Sequence, residues 1–315
     1  MIKKIILSIL LLLFISIVFI LLIPINVSTL LSKPNPAKNY EEALNKIAAF
    51  KTFEPKNILK ECSIQFLTHN KKVEFATVLV HGYTNCPEQF KKLGEKFYNL
   101  GHNVLIAPLP YHGISDKMTS AHSEITAEKY TQYGDTVLDI AEGIGNKTII
   151  VGLSCGGVIA SWAAQFRHIN KAVIISPAFG FPQIPTSLTP LICKIFSWLP
   201  NKWINKGSEL FYVYPRYSTY ALTQMIRLGI SVRYSAQNVK PKADSIVFIT
   251  NANDKIINNS LVSSMIKMWK DSSTNIKTYE FEKTLELKHD FIDPNLPNQK
   301  LELVYPILID LITKE

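Results

Sequence analysis

The chain has 315 residues and a formal charge of +9, from 34 Lys and Arg against 25 Asp and Glu. The basic excess comes without interleaved basic and aromatic residues and without a Gly-Lys-Ser phosphate loop, which argues against nucleic-acid and nucleotide binding. It would suit an anionic membrane surface, and a Lys/Asn/Ile-rich composition explains it equally well; Cys62, Cys86, Cys155 and Cys193 lack metal-ligand spacing.

Ile5 to Ile23 is an uncharged run of 19 residues, interrupted by only Ser8 and Ser16. At about 1.5 Å per residue it matches a hydrocarbon core of about 30 Å. It is longer than the apolar core of a signal peptide, and no convincing Ala-x-Ala-like site follows. The reading is an uncleaved transmembrane signal anchor over 1–23. Lys3 and Lys4 before the span favour an extracytoplasmic main domain, with Lys33, Lys38 and Lys46 weighing against that orientation. Pro24, Pro34 and Pro36 mark 24–60 as a juxtamembrane tether with a short helix. No lipobox-like cysteine ends the apolar run. Asn26, Asn146 and Asn258 begin glycosylation sequons.

From residue 61 onward strands and helices alternate. Cys62 to His69 reads as an antiparallel partner of the next strand, Phe75 to His81. Pro87 opens a helix with Phe90, Leu93, Phe97 and Leu100 at helical spacing and Gly101 as its stop. A strand at 103–107, a helix marked by Tyr130, Tyr133, Val137 and Ile140, and strands at 147–152 and 172–176 follow. After Lys242 come a strand at 245–250, a helix marked by Leu261, Val262, Met265, Ile266 and Trp269, a strand at 276–281, and a final helix through Val304, Ile307, Leu308 and Leu311. This alternation predicts an α/β domain over 61–315, a mostly parallel sheet with helices on both faces. The stretch from about 177 to 242 is too long for an ordinary connection. Its apolar segments, Leu191 to Leu199, Trp203 and Phe211 to Tyr214, predict an inserted helical cap.

Gly152-Leu153-Ser154-Cys155-Gly156 sits between the β-branched run Lys147 to Val151 and an amphipathic helix marked by Val158, Ile159, Trp162, Ala163 and Phe166. Strand, Gly-x-Ser-x-Gly, helix is the context of a nucleophile elbow, a tight turn that lifts a serine hydroxyl out of the sheet. An acid and a histidine should follow in chain order, at the ends of later strands. Asp254 lies in the turn after the strand at 245–250. His289 follows the strand at 276–281. His168 falls on the wrong edge of the sheet, and Asp290 and Asp293 are alternatives for the acid.

On these motifs, together with Leu79-Val80-His81-Gly82-Tyr83-Thr84, the chain resembles the α/β-hydrolase superfamily. The closest likeness is to its carboxylesterase and monoacylglycerol-lipase-like serine hydrolases, over residues 60 to 315. The resemblance implies an α/β-hydrolase fold and an oxyanion hole from the backbone N–H groups of Tyr83 and Cys155, with His81 a core histidine under the turn. Pro110-Tyr111-His112-Gly113 resembles the group's Pro-Gly-His-Gly loop, with Tyr111 in place of glycine. The implied function is cleavage of carboxylic esters, lipid or small-molecule, by Ser154, His289 and Asp254 through an acyl-enzyme, with no metal or cofactor. Thioesterase, amidase and peptidase activity would use the same groups. A catalytically silent, membrane-tethered binding protein is the non-enzymatic alternative, and oligomeric state is open.

One further expectation concerns cysteine. If the strands at 62–69 and 75–81 form a hairpin about Asn70-Lys71-Lys72, Cys62 falls near position 82 and within reach of Cys86. A disulfide there would brace the Tyr83 turn, and export would permit it.

Overall fold

A computed structural model of the protein describes residues 2–22, 25–208, 210–271 and 275–314, apart from the side chains of 17 and 20–22. Helices α1 (Ile2–Leu22) and α2 (Tyr40–Thr52) precede β1 (Gln65–Leu67) and β2 (Val73–Val80). Then come α3 (Lys91–Asn99), β3 (Asn103–Ile106), α4 (Ala127–Ile144), β4 (Gly145–Leu153), α5 (Cys155–Phe166) and β5 (Lys171–Ile175). An excursion holds α6 (Thr189–Trp198) and the strands β6 (Trp203–Asn205) and β7 (Arg216–Ser218). The chain returns through α7 (Thr219–Ala236) to β8 (Ser245–Asn251), α8 (Asn259–Asp271), β9 (Asn275–Phe281) and α9 (Leu301–Thr313).

The main sheet has seven strands in the order β1-β3-β2-β4-β5-β8-β9. All neighbours are parallel except β1, which is antiparallel to β3. The period-2 alternation of strand side chains divides the apolar residues between two faces. Ile150, Ile174 and Phe248 pack under α4, α5, α7 and α8. Val151, Val173 and Val247 pack against α3 and α9. Central strands are therefore apolar throughout, while β9 at the edge alternates.

Three expectations change here. The pairing of the 62–69 strand with the 75–81 strand does not occur. Both sides of β2 are occupied, by β3 and β4, so β1 pairs with β3 instead, Phe66 opposite Leu105. The second is the extent of the insertion. Ala221, Met225, Leu228 and Val232 of α7 join the same core as α5, so α7 belongs to the layer covering the sheet. The excursion proper is 177–218.

The third is the membrane span. Among the described residues no helix is long and apolar enough to cross a membrane. Residue 23, the end of the expected span, lies outside the described residues. The single-pass anchor is corrected, and with it the localisation it implied.

The segment read as a tether lies against the domain. Leu30 is fully buried, and its carbonyl accepts the Trp162 Nε1–H at 2.6 Å. Ser32 Oγ and the Lys33 N–H donate to Asp135, and the Asn35 N–H donates to Asp139. The same two carboxylates pair with Arg167, at 2.7 and 2.8 Å, and Glu142 joins them. The arm and a buried guanidinium thus share one pair of acids on α4.

Candidate active site

The elbow follows from steric necessity. Ser154 has φ 59° and ψ −112°, a region that a side chain enters only when the surroundings enforce it. A Cβ on Gly152 would stand 2.0 Å from the Gly156 carbonyl oxygen, and one on Gly156 would stand 2.0 Å from that of Val80. Only glycine fits either place. The Ser154 N–H donates to Ile175 O, and Ser154 O accepts the Ala178 N–H, which ties the turn to the end of β5. Ser154 therefore caps α5 without entering it, facing N–H groups of the first turn that lack intrahelical acceptors.

Asp254 and His289 follow the C-terminal ends of β8 and β9, the edge at which β4 delivers Ser154. The His289 Nδ1–H donates to Asp254 Oδ2 at 2.6 Å. The other Asp254 oxygen accepts the Ile256 N–H. The second imidazole nitrogen, Nε2, is buried and has no hydrogen-bond partner among the described residues. Ser154 Cβ and Asp290 Oδ1 both lie within 4 Å of where a side chain on Gly82 would begin. The elbow, the His-Gly turn and the loop after β9 thus converge on one point.

Electrostatics follow the same geometry. Burial works to raise the Asp254 carboxyl, but the hydrogen bond and charge of His289 and two backbone N–H groups outweigh it, leaving its pKa lowered. Burial works to lower His289, but the Asp254 hydrogen bond and the Asp290 and Asp254 charges outweigh it, leaving its pKa raised. The two shifts agree: each partner stabilises the other's ionised form.

Asp290 and Asp293 are engaged elsewhere. Asp293 is fully buried; it accepts from Asn85 Nδ2 and Tyr212 OH, and burial raises its pKa. Asp290 Oδ1 accepts from Gln89 Nε2, and the same amide's Oε1 accepts the Gly82 N–H. His168 is exposed at the far end of α5.

The turn after β2 carries Tyr83. The Leu109 N–H donates to His81 Nε2, so the proton is on Nδ1 and donates to Gly82 O at 2.8 Å. His81 is buried beneath the turn, with its pKa lowered by burial and then by His112. His112 Nε2 bonds Tyr83 O, and the Ser218 N–H donates to the Tyr83 hydroxyl. Tyr111, at the family's glycine position, takes φ 65° and is held by the Lys129 ammonium at its hydroxyl. Cys62 and Cys86 are joined in a disulfide, Cα–Cα 5.1 Å, packed against Tyr212. The bridge thus forms beside the Tyr83 turn without the hairpin that motivated it.

Sequence reasoning missed the buried amides that assemble the loops. Gln89 links the Gly82 turn to Asp290. Asn251 Nδ2 donates to Leu287 O and Lys288 O, locking the His289 loop to the end of β8, and Asn253 Nδ2 adds a bond to Leu287 O. The available signal was an amide at the end of an apolar strand, which reads equally well as a turn former. Of the apolar residues that marked the insertion, Trp198 and Phe211 are exposed, whereas Tyr212 and Tyr214 are buried.

The chain has the α/β-hydrolase fold. A family profile described as alpha/beta hydrolase fold matches residues 77–211, from β2 through the elbow into the excursion. The chain is similar to a thermostable monoacylglycerol lipase of Bacillus sp. (strain H-257), 28% identical over 177 residues, which is 54% of this chain and 65% of the relative. It therefore spans just under two thirds of that relative's length. Among solved structures it is similar to one reported for LipS and LipT, two metagenome-derived lipolytic enzymes. The TM-score is 0.62 at 18% identity, covering 82% of this chain and all of that one. It is also similar to the monoacylglycerol lipase of Paleococcus ferrophilus, TM-score 0.58 at 18% identity over 78% of this chain and 98% of that one. These structural likenesses concern the fold.

Proposed function

We propose that the protein is a serine hydrolase of carboxylic esters. Ser154 Oγ attacks the acyl carbon as His289 Nε2 takes its proton. The tetrahedral oxyanion lies toward the N–H groups of Tyr83, in the turn after β2, and Cys155, at the start of α5. The C–O bond to the alcohol then breaks, and His289 returns the proton to the departing oxygen. Water repeats the sequence on the acyl-enzyme. Asp254 holds the imidazole with Nδ1 protonated and stabilises the imidazolium.

The observation that carries this reading is the 2.6 Å Asp254–His289 bond, which leaves a buried Nε2 without a hydrogen-bond partner among the described residues, at the sheet edge that carries an elbow serine held at φ 59°. Its likeness to a monoacylglycerol lipase supports ester over other acyl substrates. Residues 177–218 serve as a cap: the Tyr214 N–H donates to Thr84 O and the Ser218 N–H to the Tyr83 hydroxyl, so the excursion is fastened to the oxyanion turn. A fluorophosphonate probe should label the wild type and fail on Ser154→Ala, with ester turnover falling about 10³-fold or more. Labelling that persists in Ser154→Ala would remove Ser154 as nucleophile.

A further inference from the structure

A cavity of about 640 Å³ opens beside His289, bounded by Thr84, Asn85, Asn253 and the β6–β7 excursion. Its size is that of a small-molecule site. A larger groove, about 940 Å³, lies between α2 and α4 and reaches none of Ser154, Asp254 or His289.

The direction of the proposed chemistry assigns the smaller cavity. When the acyl–oxygen bond breaks, the departing alkoxide takes its proton from His289, so the alcohol half of the ester sits on the His289 side of the serine. The acyl half, bonded to Ser154 Oγ, remains on the other side. A cavity walled by His289 is where the leaving alcohol is held.

The charge of that wall is one-sided. Lys206, Lys255 and Lys288 line it, and among the described lining residues the sole carboxylate is Asp290. Asp290 Oδ1 already accepts from Gln89. Among the described residues none of the three lysines makes an ion pair. Lys206 is also positioned: its backbone N–H donates to Pro215 O, and its ammonium stands 5.6 Å from the centre of the Tyr217 ring. Desolvation pulls that ammonium's pKa down, but Tyr217, Asp290 and Asp254 outweigh it and hold the group charged. The same cation opposes the rise in the pKa of His289 that Asp254 and Asp290 produce. A fixed positive charge therefore faces the place where the alcohol departs.

We propose that this cavity is the leaving-alcohol site and that its lysines, Lys206 foremost, select esters whose alcohol carries an anionic oxygen group, a phosphate or a carboxylate. The inference rests on the ester-hydrolase reading above and deepens it. An anionic alcohol finds three cations where a neutral glycerol finds only hydrogen bonds. The preference is electrostatic and weakens with salt.

The test compares esters of one acyl chain: the 1-acylglycerol, its 3-phosphate, and the corresponding acyl ester of a hydroxycarboxylic acid, all below their critical micelle concentrations. The wild type should favour the anionic esters in kcat/KM by about 10-fold or more, the advantage shrinking as salt is raised. Lys206→Ala should bring the anionic-to-neutral ratio toward one, and Lys206→Glu should invert it. Preference for the phosphate alone, or for the carboxylate alone, identifies which group the cavity takes. A wild-type ratio at or below one, or a ratio unchanged in Lys206→Ala, overturns the proposal. If no ester is cleaved, it is the ester-hydrolase reading that fails. The cavity is then judged by calorimetric titration of glycerol 3-phosphate and glycerol into the full chain: saturable, Lys206-dependent binding of the phosphate alone supports the anion site, and its absence refutes it.

Discussion

At the scale of residues, the site is a set of mutual constraints. In the proposed mechanism the imidazole of His289 works as a base only when neutral, and its pKa is raised because Asp254 and Asp290 favour the imidazolium over the desolvation that opposes it. Lowering the pH through that raised pKa protonates Nε2 and removes the base. The acid limb of the kcat/KM profile should therefore have its midpoint above the ordinary histidine value of about 6.5. Asp254→Asn removes the charge and presents an amide NH2 donor where the His289 Nδ1–H needs an acceptor. Turnover should fall strongly, because Nδ1 loses its orienting partner, and the residual acid limb should move to lower pH. A variant with wild-type turnover would show that the 2.6 Å bond is not used in catalysis.

At the scale of elements, the least expected arrangement is on α4 and α5. Arg167, its side chain only 3% exposed, closes α5 against Asp135 and Asp139 of α4, and both acids also accept backbone N–H groups from the arm at 33–35. A buried ion pair adds modest net stability, but removing one partner strands the other's charge. Arg167→Ala should cost about 3–5 kcal/mol in chemical denaturation, the range for an uncompensated buried charge. A loss below about 1 kcal/mol would mean that the arm's N–H groups suffice for both carboxylates.

At the scale of the whole molecule, residues 27–52 are part of the domain. Leu30 and Ala43 are fully buried in the core shared by α4 and α5, whereas α1 touches α6 and leaves most of its described apolar side chains exposed, Val18 being partly covered. Two truncations separate these roles. Removing 1–22 should leave the unfolding free energy within about 1 kcal/mol of the full chain, as expected where little surface is buried. Removing 1–39 should cost at least about 3 kcal/mol, from the loss of Leu30 burial and of the N–H donors to Asp135 and Asp139. Equal stabilities by denaturant titration would show that the arm is not a structural brace.

Much was legible in the sequence because its determinants are local. The strand, Gly-x-Ser-x-Gly and helix of the elbow are contiguous, and strands β4, β5 and β8 are short, largely apolar runs bounded by turn formers. Chain order then placed Asp254 and His289 on the edge that carries Ser154. What only the tertiary structure decided depends on which surfaces meet. The partner of β1 was set by both sides of β2 being taken, and the fate of α7 by the apolar face that α5 left open. Asp290 and Asp293 could be set apart from Asp254 only once Gln89, Asn85 and Tyr212 were seen to occupy them. The apolar N-terminal run showed the limit of composition. Hydropathy alone read Ile5 to Ile23 as a span, and among the described residues no helix is long and apolar enough to cross a membrane.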